Sequence, residues 1–152
     1  MTPNLSLIII NRFSVFYGGE QAIATYASIG YVMSIIYLIL QGVGDGSQPI
    51  MSKYYGEKAF DRLKNIMRLA NGSGILLSVI GCVIMYVARA DIGLLFGTSN
   101  EVNAEIQKTI PIFLISVPFV SINRITTASF YATEKSIFSY ILSFVEPIFM
   151  LI

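Results

Sequence analysis

Long apolar runs separated by short polar segments are the main feature of the chain. The residues from Gln21 to Gly44 carry no charge, and neither do those from Leu69 to Ala88. A third run, from Thr109 to Thr133, is interrupted only by Arg124. A helix needs about 20 predominantly apolar residues to cross the hydrocarbon core of a bilayer. Each of the three runs therefore predicts a membrane-spanning helix.

Two further apolar segments lie at the ends of the chain. The first is too short to cross a bilayer and the second is only marginally long enough, so we interpret both as truncated spans. The chain is thus expected to be an all-α integral membrane protein with about five transmembrane helices, the first and last truncated. The predicted apolar segments are 5–17, 21–50, 69–88, 109–133 and 136–152.

Glycine and proline cluster near the end of the second segment, at Gly42, Gly44, Gly46 and Pro49. The G-x-G-x-G spacing is not a phosphate-binding fingerprint, and no strand precedes it. Clustered glycines in a membrane helix allow a neighbouring helix to approach closely or the helix to kink, and proline removes a backbone hydrogen bond. We predict a hinge or packing site here, with Gly56 ending the helix.

An amphipathic ramp is predicted at 58–68. Its apolar positions include Phe60, Leu63 and Met67, and its basic positions lie on the opposite side. Such a pattern is typical of a helix lying at a membrane surface. We expect the ramp to lead into the third span.

The charges of the loops predict the orientation. Five basic and two acidic residues lie between Ser52 and Arg68, whereas two basic and three acidic residues lie between Arg89 and Lys108. By the positive-inside rule, loop 52–68 is cytoplasmic and loop 89–108 is outside. The expected location is the cell membrane, with several crossings.

Composition narrows the possible chemistry. The chain is 55% hydrophobic and only 12% charged, against about 25% charged residues in soluble domains. Its net charge is +1 and it has no histidine, so we expect no nucleic-acid partner, no histidine-based metal site and no cofactor. Membrane lipid is the expected environment. An enzyme is not predicted, because paired carboxylates and histidine are both missing.

Polar residues inside the predicted spans are candidates for function. Asn11, Gln41 and Asn123 either contact substrate or form interhelical hydrogen bonds, worth about 0.6 kcal/mol on average. The second role is the more common one. Asp45 is either a solvated charge near the inner end of its span, which is the more common case, or a functional charge.

Arg124 and Glu146 are the two charges placed deepest. Each lies eleven residues from Lys135, about 16 Å along its helix from the turn between the fourth and fifth segments. A lone charge at that depth costs at least about 2.5 kcal/mol, so we predict that the two form an ion pair. The pair either holds the helical hairpin together or lines a cavity, where Glu146 exchanges Arg124 for a proton or a cationic substrate.

The order of these features resembles a known family. The stretch "YGGEQAIATYASIGYVMSIIYLILQGVGDGSQPIMSKYYGEKAFDRLKN", together with "LLFGTS" and "NRITTASFYATEKSIFSYILS" further along, is similar to the carboxy-terminal half of the multidrug and toxic compound extrusion (MATE) transporters. The shared pattern is a YGG turn, a long helix, G-x-G-x-G-x-QPI-x-S-x-x-YG and a basic ramp. On this resemblance the five segments correspond to the seventh through eleventh helices of a twelve-helix protein.

The resemblance implies a secondary active exporter working by alternating access, with a proton or sodium ion as coupling cation. Substrates would be amphipathic, often cationic, small molecules, and the missing amino-terminal lobe would be a partner. The chain alone is expected not to transport. Family members that bind the coupling ion in this lobe use carboxylates on the seventh and tenth helices, and the corresponding stretches, 5–16 and 109–133, contain none.

Two alternatives remain open at this point. One is a lipid-linked oligosaccharide flippase of the same superfamily, which Arg12 and Arg124 support modestly. The other is a small oligomeric structural membrane protein, which the truncated terminal segments disfavour.

Overall fold

The computed structural model describes the backbone of residues 2–135 and 137–143 and the side chains of 19–135 and 137–143. The helices are α1 (Thr2–Gly56), α2 (Phe60–Ala88), α3 (Ile92–Leu95) and α4 (Asn100–Ala132). Residues 137–143 are helical as well. The described part of the chain contains no strand, which confirms the all-α prediction.

Three helices in the described residues are long and apolar enough to cross a membrane: Gly19–Gly56, Phe60–Ala88 and Asn100–Ala132. They contain the second and third predicted segments and all of the fourth except its last residue, Thr133. Helices suit a bilayer because a helix satisfies its own backbone hydrogen bonds where no water is available.

The first and second predicted segments meet at Gly19, where α1 is kinked. Only this residue leaves helical geometry, with φ 64° and ψ −162°, a region that is open essentially to glycine alone. Gly19 is the last residue of the YGG turn expected from the sequence. The break therefore lies where the sequence predicts it.

The end of α1 corrects one expectation. Gly56 is its last residue, as predicted, but the left-handed residue that terminates the helix is Lys58, at φ 55°. The amide of Lys58 donates to the carbonyl of Tyr55, and the amide of Ala59 donates to the carbonyl of Tyr54, at 2.9 Å. These two bonds form a Schellman motif, in which a glycine usually takes the left-handed position.

α2 joins the predicted ramp and the third span into one helix. Leu63 and Ala70 are buried against the other helices, whereas Arg62, Lys64 and Arg68 are exposed. The predicted separation of apolar and basic positions is thus present in the first turns of a helix that continues without interruption to Ala88.

The predicted loop 89–108 is shorter than expected, because α4 begins at Asn100 and not near Thr109. Ser99 caps the helix, its hydroxyl accepting from the amide of Val102 at 3.4 Å. Val102, Ile106 and Ile110 are buried at intervals of four residues. The charges that suggest a loop lie on the solvent side of this first part of the helix.

The remaining connection, which contains α3, is held by Asn103. Its side-chain oxygen accepts from the amide of Gly93 at 3.1 Å, and its side-chain nitrogen donates to the carbonyl of Ala90 at 3.1 Å. The hydroxyl of Thr98 donates to the carbonyl of Gly93. Short polar side chains thus fix the connection beside the buried Ile92 and Val102.

α1, α2 and α4 pack against one another around two groups of buried side chains. The larger group joins α1 to α4 and takes in α3. The smaller group, which includes Met51, Leu63 and Ile125, lies where α1 ends and α2 begins. The larger group is Ile29, Val32, Met33, Ile36, Leu40, Ile92, Val102, Ile106, Ile110, Leu114 and Val117.

Two ends of the bundle can be distinguished by charge. We call the end formed by residues 52–68 and 133–135 the basic end, and the end formed by residues 19–21 and 89–105 the acidic end. At the acidic end, Gln21 donates to Glu101 at 2.8 Å and Thr25 donates to Glu105 at 3.4 Å. These hydrogen bonds connect α1 with α4.

Candidate functional site

α1 and α4 cross closely at Gly44. A Cβ atom added to this glycine would lie 3.5 Å from the Cβ of Ala128 and 3.5 Å from the carbonyl oxygen of Arg124. Gln41 and Asp45 flank Gly44 on α1, so the crossing brings them to the same level of the bundle as Arg124. The sequence singles out each of these three polar residues separately, although Arg124 lies 83 positions from Gln41 and 79 from Asp45.

A row of polar side chains runs along one exposed side of α1. At 3.6 residues per turn these side chains fall within an arc of about 60°. All are exposed except Gln48, which is half-buried. We call this row the polar stripe; it consists of Ser34, Gln41, Asp45, Gln48 and Ser52.

The polar stripe is joined at its centre by a side-chain hydrogen bond. Gln41 Nε2 donates to Asp45 Oδ2 at 3.4 Å, one helical turn away. Ser34 instead donates to the carbonyl of Gly30 at 2.8 Å. The hydroxyl of Ser34 is therefore satisfied within α1, whereas the amide and carboxylate of Gln41 and Asp45 still have capacity for a ligand.

The contact between α1 and α2 shows how deep Gln41 lies in the apolar zone, measured from the level of Leu69. A Cβ atom added to Gly81 of α2 would lie 3.5 Å from Ile36, and Gly81 is twelve residues from Leu69, where the charge-free run of α2 begins. Ile36 therefore lies about 18 Å from the level of Leu69, which marks the edge of the apolar zone. α1 runs toward that edge, so Gln41, five residues after Ile36, lies about 10 Å from it. Gln41 consequently lies inside the apolar zone, and Asp45 lies closer to its boundary.

Exposed polar side chains at that depth do not fit a lipid-facing surface. In membrane proteins such groups face the interior of the bundle or a water-filled cavity, because burying them in hydrocarbon is costly. The opposite side of α1 carries the buried Val32 and Ile36. α1 thus has one side packed in the core and another suited to an aqueous or protein-lined space.

The other residues proposed from the sequence occupy different positions. Asn123 and Arg124 are half-buried on α4, and each takes part in an interaction of its own. The side chain of Asn11 and the whole of Glu146 lie outside the described residues. The ion pair between Arg124 and Glu146 therefore stays a prediction.

The hinge residues also differ among themselves. Gly44 is in contact with α4, whereas a Cβ atom added to Gly42 or Gly46 would meet no atom within 4 Å among the described residues. Pro49 lies within α1, which continues as a helix to Gly56. Among the described residues, Gly44 is the one of these three glycines that contacts another helix.

Three members of the polar stripe, Ser34, Gln48 and Ser52, do not stand out from the sequence one by one. Their separations from one another, 14, 18 and 4 residues, are close to whole numbers of helical turns. A count of polar positions by helical angle would have found the stripe. The buried Ser121 of α4, which lies beside Gly74 of α2, could not have been found in this way. Its burial depends on how α4 is rotated relative to α2.

Comparison with known proteins identifies the family. The sequence matches the MatE family over residues 1–151. No curated protein and no solved structure matches it significantly. The family match covers nearly the whole chain and includes the YGG turn, the glycine cluster and the basic ramp on which the resemblance rests. The chain therefore belongs to the MatE family of membrane transporters.

Proposed function

We propose that this chain forms part of a secondary active exporter in which the polar stripe of α1 lines the transport path. Transport would proceed by alternating access, driven by inward movement of a proton or a sodium ion. Membership of the MatE family supports transport in general. The observation that supports the location of the path is the exposed part of the polar stripe that lies inside the apolar zone, Ser34, Gln41 and Asp45.

The composition of the stripe favours amphipathic cations as substrates. Asp45 is its only charged residue, and the exposed side chains of Tyr31 and Leu38 flank it on one side. A carboxylate beside apolar surface suits a molecule with a positive charge and a hydrophobic body. Arg124 lies at the same level and would disfavour a second positive charge on the substrate.

The orientation inferred from the loops completes the proposal. We place loop 52–68 on the cytoplasmic side of the cell membrane, so that the Asp45 end of the stripe opens toward the cytoplasm. A cationic compound would then meet the carboxylate on entering from the cell interior. Coupling through the predicted Arg124–Glu146 pair is compatible with this arrangement.

The test is charge removal at Asp45 in the complete transporter. Asp45→Asn should lower the efflux of a cationic dye at least about tenfold, the loss expected when a charge-assisted contact is removed. Gradient-driven efflux from proteoliposomes, with proton and sodium gradients compared, measures the effect. Glu57→Gln is the matched control, because Glu57 is an exposed carboxylate at the same end of α1 but lies off the stripe.

Two results would contradict the proposal. One is normal cation efflux by Asp45→Asn at equal expression. The other is an equal loss in Glu57→Gln, since that would indicate a general effect of charge at the basic end.

A further inference from the structure

An apolar cavity of about 300 Å³ opens at the basic end, between the end of α1, the start of α2 and the end of α4. It is separate from the polar stripe and takes no part in the proposed transport path. Its walls are mainly aromatic and aliphatic. The lining residues are Tyr55, Phe60, Leu63, Met67, Thr126, Ser129, Phe130, Thr133 and Lys135.

Two of the four hydroxyl groups in the wall, those of Ser129 and Thr133, are already hydrogen-bonded within α4. Ser129 Oγ donates to the carbonyl of Ile125 at 2.8 Å, and Thr133 Oγ1 donates to the carbonyl of Ser129 at 2.9 Å. Both donors are thus used within α4. The interior of the cavity is suited to a hydrocarbon group.

Lys135 supplies the one charge among the lining residues, and its backbone is fixed. The amide of Lys135 donates to the carbonyl of Phe130 at 3.0 Å, and the amide of Glu134 donates to the carbonyl of Tyr131 at 3.3 Å. Glu134 has φ 59°. α4 therefore ends in the same Schellman motif as α1, and the motif holds the lysine at the rim of the cavity.

The cavity straddles the boundary between the apolar zone and the water. Gly74 contacts Ile125 across α2 and α4 and is five residues from Leu69, so Thr126 lies roughly 6 Å inside the apolar zone. Lys135, nine residues further along, lies beyond the level of Leu69. A lipid bound here would have its chain in the apolar part and its headgroup at the lysine.

The surrounding charge favours an anionic headgroup. Residues 52–68 and 133–135 together contain six basic and three acidic residues. Arg62 lies over the ring of Tyr54, with its guanidinium carbon 6.0 Å from the ring centre. Each basic side chain near a membrane surface adds to the attraction for acidic lipids.

We propose that this cavity binds an acyl chain of an anionic phospholipid whose phosphate contacts Lys135. The inference depends on the membrane location of the chain and not on transport. The site would anchor the junction of three helices to one class of lipid.

Site-specific photocrosslinking tests the proposal in the complete transporter. A benzophenone amino acid replaces Phe60 at the cavity, or Leu76 as the control, in vesicles of phosphatidylcholine with a minor fraction of phosphatidylglycerol. Phe60 and Leu76 are 60% and 61% exposed and both lie on α2. Mass spectrometry of the lipid adducts then gives the share of phosphatidylglycerol at each position.

At position 60 the share of phosphatidylglycerol should exceed that at position 76 about fivefold, the effect of one lysine on an acidic lipid. Lys135→Gln should abolish the enrichment, and Lys135→Arg should keep it. The proposal is overturned if both positions report the bulk lipid ratio, or if Lys135→Gln leaves the enrichment unchanged. It is also overturned if position 60 crosslinks only to protein, which would mean that another helix fills the cavity.

Discussion

Gly44 and Gly74 each lie where another helix crosses α4, and the two crossings leave different amounts of room. At Gly44, where α1 meets α4, an added Cβ would lie at ordinary van der Waals distance, 3.5 Å from its neighbours. At Gly74, where α2 meets α4, it would overlap Ile125 Cδ1 and lie 2.7 Å from Ser121 Oγ. Gly44, which belongs to the G-x-G-x-G cluster, thus has more space around it than Gly74. A glycine motif indicates backbone freedom, whereas the need for space depends on what the neighbouring helix presents.

The strongest test of this comparison is Gly74→Ala. The methyl group would force the ends of the Ile125 and Ser121 side chains to shift. Since overpacking costs about 1–3 kcal/mol and alanine in a helix regains about 0.5–1 kcal/mol, we expect the free energy of unfolding to fall by about 1–2 kcal/mol. Thermal unfolding in detergent, followed by circular dichroism, measures the change. Gly72→Ala is the control two residues away on α2, where an added Cβ meets no described atom within 4 Å.

The double variant Gly74→Ala/Ile125→Val identifies the steric origin of this loss. Valine lacks the Cδ1 atom that the new methyl group would overlap, so the double variant should recover part of the stability lost by Gly74→Ala. Additive losses would show that the overlap is not the cause.

Ser121→Ala addresses the other neighbour of Gly74. Ser121 is fully buried, and its hydroxyl has no hydrogen-bond partner among the described residues. Removing it should raise the free energy of unfolding by up to about 1 kcal/mol, since a buried unsatisfied polar group is unfavourable. Chemical or thermal unfolding in the same detergent gives the comparison with wild type.

Ser78→Ala is the matched control for this substitution. Ser78 is equally buried, but its hydroxyl donates to the carbonyl of Ile75 at 2.7 Å. We expect no gain in stability there. A loss of stability in Ser121→Ala would indicate that Ser121 has a polar role in the native state.

The smallest effects are expected on α1. Gly44→Ala should change the free energy of unfolding by no more than about 0.5 kcal/mol. Gly42→Ala and Gly46→Ala should raise it by about 0.5–1 kcal/mol, because alanine favours the helix. Thermal unfolding again supplies the values, and a large loss in Gly44→Ala would remove the distinction from Gly74.

Efflux measurements on Gly42→Ala and Gly46→Ala separate packing from bending. If the glycine cluster is a hinge, as predicted from the sequence, these variants should transport more slowly although they are more stable. Unchanged efflux in both variants would contradict the prediction that the glycine cluster is a hinge.

The sequence predicts the spans well, because a bilayer demands continuous apolar runs and permits few charges within them. It is less informative where a helix extends beyond the apolar zone. Glu101, Glu105 and Lys108 suggest a loop and so predict a later start for α4 than Asn100, although the spacing of Val102 and Ile106 indicates a helix. Periodicity was the better guide there than charge.

The candidate site was predicted in part. Gln41 was identified because amides are uncommon in a membrane span, but its neighbours on the polar stripe become meaningful only when the exposed side of α1 is known. The contact of Gly74 with Ser121 and Ile125 could not be derived from the sequence. It depends on how α2 and α4 are rotated about their axes, which local patterns do not determine.

From Gly19 to Gly56, α1 is one unbroken helix of 38 residues, about 57 Å long. A rod of this length that rocks by about 10° about its centre moves its two tips about 5 Å in opposite directions. Tilting α1 in this way would narrow the proposed transport path at one end while widening it at the other. Such reciprocal motion is what the proposed alternating access requires, and the helix would transmit it in full only where the predicted hinge at Gly42, Gly44 and Gly46 stays straight.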